Sequence, residues 1–159
     1  MTRLISFFVP EDTEVLAAFG ELTLRHEHLV HILRMTVKTL CNVTVQEALD
    51  ATAFENASSL RDRVRKLARQ RLGEGPALVR LQALVQRCHQ LTDQRNAYVH
   101  SVWAKQLDGE PIRSDRKEGW VPIPSKEQLG RLSEELKELT GELNIARLEG
   151  FIHEALQRR

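Results

Sequence analysis

Aromatic residues, cysteines and net charge are all scarce in this chain of 159 residues, and each shortage narrows what the protein can be. Aromatics make up 5% of the sequence, so the core has to be built on aliphatic side chains, chiefly leucine. The two cysteines, Cys41 and Cys88, stand far apart without Cys-x-x-Cys spacing. That argues against a disulfide framework and suits a reduced, cytoplasmic chain in which each is a small buried apolar residue. The net charge of +1 is too small for a whole-molecule field that draws in nucleic acid or an acidic membrane, and any such binding falls to a local patch. The apolar run near the N-terminus, Leu4 to Val9, stops at Pro10. It is too short for a membrane span and has no signal-peptide cleavage site, so the expectation is a soluble protein with an extended arm packed on it and no membrane partner. A glycine-rich phosphate loop and a G-x-S-x-G nucleophile elbow are both missing.

What the chain does have is helical periodicity at a length that supports one domain with a substantial core. Asp12 or Thr13 can cap a long helix whose apolar positions, from Val15 through Phe19, Leu22, His26, Leu29, Leu33 and Val37 to Leu40, step by three and four. After a break at Cys41-Asn42-Val43, Thr44 with Glu47 reads as a capping box. A helix from Ser58 or Ser59 buries Leu60, Val64 and Leu67 and stops at LGEGP. From Pro76 another runs, with a possible kink at Thr92-Asp93, to about Lys105. Residues 108–124 form a loop or short hairpin excursion, with strands possible at Pro111–Arg113 and Trp120–Ile123. Ser125 with Gln128 is a second capping box, opening a helix with a coiled-coil-like seam of Leu129, Leu132, Leu136, Leu139 and Leu143. The expected fold is all-α, a four- to five-helix up-down bundle in a single domain, with 1–10 as an N-terminal arm and 11–157 as the bundle.

Three clusters invite chemistry. His26, His28 and His31 lack the four-residue step that puts two zinc ligands on one helical face, and no metal site or other cofactor is expected. In RDRVRKLARQR, residues 61–71, Arg61, Arg65 and Arg69 are spaced by four and share a face that can grip phosphates, so they are the candidate RNA-binding residues. The stretch QRNAYVHSVW, residues 94–103, places Asn96 four residues before His100, where the amide can hydrogen-bond the imidazole and fix its tautomer. Arg95 can swing a guanidinium towards the same point. An imidazole that moves a proton near neutral pH and a guanidinium that stabilises a phosphorane suffice for attack of a ribose 2′-hydroxyl on the adjacent phosphate.

Arg95-Asn96-x-x-x-His100, late in a helical chain and followed by an excursion and a last amphipathic helix, resembles the signature of the HEPN superfamily. Arg25 to His31 and Arg147 to His153, with five residues between rather than four, also fit the family's range, but Arg147 is followed by Leu148 and Arg25 by His26, which falls on the apolar seam. The resemblance implies a small helical domain, a homodimer whose Arg and His pairs line one cleft, and a metal-independent endoribonuclease of the toxin–antitoxin or defence kind. Arg95 and His100 are then the catalytic pair, Asn96 shapes the site, RNA is the substrate and a cognate antitoxin or other protein is a partner. Other members of that family lack activity, which leaves a non-catalytic dimerisation or partner-binding module as the alternative.

Overall fold

The computed structural model describes residues 4–158. Asp12 opens the first helix, α1 (Thr13–Cys41), by accepting a hydrogen bond from the Glu14 N–H. Its 29 residues make a rod about 43 Å long. The buried positions include Leu22, His26, Leu29, Leu33, Val37 and Leu40, the stripe that the three-and-four stepping predicts. Asn42 ends the helix in the left-handed region, at φ 53° and ψ 50°, a conformation that asparagine tolerates better than most side chains do.

The Thr44–Glu47 capping box opens α2 (Val45–Ala51). Helix α3 (Ala57–Leu72) starts slightly before the two serines, because Asn56 supplies the cap by accepting from the Ser59 N–H. Gly73, at φ 66°, stops it, and the short link to α4 (Pro76–Val99) turns the chain back on itself. Ser125 and Gln128 form the capping box of α5 (Lys126–Leu148), which buries all five leucines of the seam. The apolar face does not continue in one helix to the C-terminus. The chain breaks at Gly150, where a Cβ would meet the Ala146 Cα at 3.0 Å, and α6 (Phe151–Gln157) packs on α3, α4 and α5. Helix α1 lies along α5 and α3, and α4 packs against both of those. Leucines from all four long helices fill the space between them, Leu22, Leu60, Leu81 and Leu136 among those with no exposed surface.

The all-α expectation is overturned by a four-stranded antiparallel sheet at the end of the bundle where α4 finishes and α5 begins. In spatial order it comprises β1 (Ile5–Phe7), β2 (Trp103–Gln106), β3 (Pro111–Asp115) and β4 (Gly119–Pro122). The excursion does contain a hairpin, β3–β4, close to the two anticipated strands. The other two strands correct the sequence reading. The arm is paired rather than merely packed, with Ile5 opposite Gln106 and Phe7 opposite Ala104, and α4 ends at Val99, without a break at Thr92-Asp93, rather than near Lys105. Both corrections have one cause: β1 and β2 satisfy each other's backbone groups across 99 residues, a pairing that no local pattern displays. Trp103 ties the sheet to the bundle by an edge-to-face contact with Phe19, ring centroids 5.3 Å apart. Among the described residues no helix is long and apolar enough to cross a membrane.

Candidate active site

The end of α4 leaves carbonyls without helical partners, and those partners fix what surrounds His100. The Tyr98 carbonyl accepts from Ser101 Oγ at 2.9 Å and from Trp103 Nε1 at 3.1 Å. The Ala97 carbonyl accepts from Arg113 Nη1 at 3.1 Å, and the same guanidinium lies over the Tyr98 ring, 5.2 Å from its centroid. Ser114 closes the join, its Oγ accepting from the Val102 N–H at 2.8 Å and its own N–H donating to the Val102 carbonyl. The β3–β4 hairpin is therefore fastened to the last turn of α4.

Between them lies a groove of about 690 Å³, within the range of small-ligand sites. Its helical wall is Asp93, Asn96, Ala97 and His100, one stripe at helical spacing, and its other wall is Ser101, Ser114, Asp115, Arg116 and Lys117. His100 is the residue just past the helix, exposed, and its side chain makes no hydrogen bond among the described residues. Asp115 is held below the usual carboxylate range by the Glu118 and Lys117 N–H groups, with Arg113 adding to the effect.

Arg95 lies elsewhere. It is half-buried, outside the lining of the groove, and its Nη1 donates to Asn96 Oδ1 at 3.0 Å. The expected bond from Asn96 to the imidazole is not formed: the His100 backbone N–H still donates to the Asn96 carbonyl at 3.0 Å, but the amide oxygen of Asn96 is taken by Arg95. On its inner side Arg95 is close enough to the buried His26 to help lower that imidazole's pKa to about 4, burial being the larger cause. His26 Nε2 is 3.2 Å from Thr92 Oγ1. Arg95 makes no ion pair among the described residues: Asp93 faces His89 Nε2 at 3.5 Å, Asp62 pairs with Arg65, and Glu27 lies by His26. Asn96 is thus the residue that touches both sides, bonding Arg95 and lining the groove of His100.

The basic ridge is split. Arg61 is turned inward with 5% of its surface exposed, and Nη2 sits 3.1 Å from His89 Nδ1 while Nε and Nη1 have no hydrogen-bond partner among the described residues. Arg65 and Arg69 line a separate depression on α3 that shares no residue with the His100 groove. Because α3 and α4 are antiparallel, Arg65 and Arg69 lie one and two turns further from the end of α4 than Arg61 does. His28 and His31 are exposed on α1, and among the described residues no three His, Cys, Asp or Glu side chains are grouped to hold a metal ion.

Sequence reasoning did not single out Asp93, Arg116 and Lys117 as groove residues. Asp93 was legible, since it precedes His100 by two helical turns on the same stripe; the two cations were not, because only the docking of the hairpin brings them there. Together these features define a helical bundle with a sheet at one end and a polar, two-walled groove at the junction. Comparison with protein-family models, curated proteins and solved structures gives no match.

Proposed function

We propose that the protein is a HEPN-like, metal-independent endoribonuclease with His100 as its general acid–base residue. The observation that carries this reading is an exposed imidazole, free of side-chain hydrogen bonds among the described residues, in a groove whose facing wall holds two cations. An imidazole nitrogen takes the proton of a ribose 2′-hydroxyl, the 2′-oxygen bonds to phosphorus, and the bond from phosphorus to the 5′-oxygen breaks. The 5′-oxygen leaves with a proton returned by the imidazolium or by water, giving a 2′,3′-cyclic phosphate and a 5′-hydroxyl. Asn96, lining the groove, orients the strand, and Arg95, outside the groove, acts as a positioning residue by holding the Asn96 amide. The resemblance of the motif extends the reading to a homodimer whose two sites share a cleft, and to a toxin or defence role with a cognate antitoxin.

Incubation of the purified protein with RNA in EDTA tests the enzyme. Native protein cleaves, and His100→Ala protein with an unchanged circular dichroism spectrum and melting temperature does not. No cleavage by native protein refutes the enzyme and favours a second reading, the non-catalytic binding module. A specific feature supports that alternative: an apolar groove of about 250 Å³ between the arm and α1, lined by Phe8, Val9, Leu16, Phe19 and Tyr98 among others, beside the exposed Leu4 and Phe7.

A further inference from the structure

We infer that the β3–β4 turn is the phosphate-holding wall of the His100 groove, with Arg116 and Lys117 gripping the backbone of a single RNA strand. The nature of the strand rests on the ribonuclease reading; the location of the grip rests on the charges in the groove. Of its two carboxylates, Asp115 is already engaged, Oδ1 accepting the Lys117 and Glu118 N–H groups and Oδ2 facing Arg113 at 3.5 Å. The other, Asp93, faces His89 at the far end of the helical stripe. Arg116 and Lys117 are exposed and make no ion pair or side-chain hydrogen bond among the described residues. The hairpin wall therefore carries two uncompensated cations, and the remaining carboxylate, Asp93, stands on the helical wall about 10 Å along the helix from His100.

Two unpaired cations on a flexible loop would be an ordinary solvated surface. These are held in place, because Arg113 and Ser114, directly before the turn, are bonded to Ala97 and Val102 at the end of α4. Among the described residues no aromatic side chain lines the groove, Trp120 on β4, opposite Ser114, being outside its lining. Tyr98 is covered by Arg113, and Trp103 packs edge-on against Phe19. Grip on the backbone with little base stacking, and so weak sequence preference, is what such a wall supplies.

The test measures binding in a His100→Ala background, so that cutting does not interfere, with a fluorescein-labelled oligouridylate followed by anisotropy across a salt series. Reversing both charges (Arg116→Glu with Lys117→Glu) weakens binding at least tenfold at low salt. It also flattens the slope of log K against log salt by about 1.4, roughly 0.7 for each lost phosphate contact. A charge-matched control on α5, Arg131→Glu with Lys137→Glu, leaves the slope unchanged, and Arg116→Gln with Lys117→Gln gives an intermediate loss without new negative charge. An unaltered slope in the turn variants, an equal loss in the control, or no RNA binding by the parent overturns the inference. The two readings separate: turn-dependent binding without His100-dependent cutting removes the nuclease and keeps the strand site. His100-dependent cutting with a KM indifferent to the reversal does the opposite.

Discussion

Acidification from pH 7.5 to pH 5 destabilises the fold chiefly through one residue, His26. It has 4% of its surface exposed, one ring nitrogen beside Thr92 and the other buried 3.9 Å from Glu27 Oε1 without a hydrogen bond among the described residues. Burial first, then the Arg95 guanidinium, draws its pKa from 6.5 to about 4. The sign follows from linkage. As pH falls through 6.5 the unfolded chain takes up a proton at this site and the folded chain does not, so the equilibrium moves towards unfolding until about pH 4, where both states are protonated. The gap, at about 1.4 kcal/mol per pH unit, is worth about 3 kcal/mol in full and about 2 kcal/mol by pH 5. The depressed carboxyls of Glu47 and Asp115 contribute stability that is lost only at lower pH, as they protonate from unfolded values of 4.5 and 3.8 downwards, so pH 5 separates the two effects. Urea unfolding of native and His26→Gln protein at pH 7.5 and pH 5 measures it: glutamine can keep the contact with Thr92 and cannot titrate. The native protein loses about 2 kcal/mol more than the variant across that interval. Equal losses in the two proteins refute the reasoning.

Two further outcomes follow from the packing. Leu136 on α5 has no exposed surface, and Leu136→Ala costs about 3 kcal/mol, read as a fall of roughly 6 to 12 °C in Tm by calorimetry; a loss below about 1 kcal/mol contradicts the close-packed seam. Cys88 is buried, which pushes its thiol up to about 12, whereas Cys41 is partly exposed. Iodoacetamide on the native protein therefore labels Cys41 and reaches Cys88 only after unfolding, as peptide mass spectrometry reports, and similar rates at both refute that burial.

Helices were legible in the sequence because their signals are local. A capping box such as Thr44–Glu47 or Ser125–Gln128 is written within four residues, and the leucines of α5 mark a buried face at a fixed step. By itself the sequence therefore determined four long helices, the stops of α1 and α3 and the stripe that became the core, and it drew attention to Arg95, Asn96 and His100. Tertiary structure alone decided the rest, since those outcomes depend on partners distant along the chain. Residues 5–7 and 103–106 become strands by pairing across most of its length, and Arg61 departs from its ridge because α4 offers it His89. Arg95 turns towards α1 while His100, released at the end of α4, meets a hairpin whose cations have no counterpart in the helical pattern. Periodicity sets which face of a helix is buried; which charges meet across a groove is set by how the elements dock.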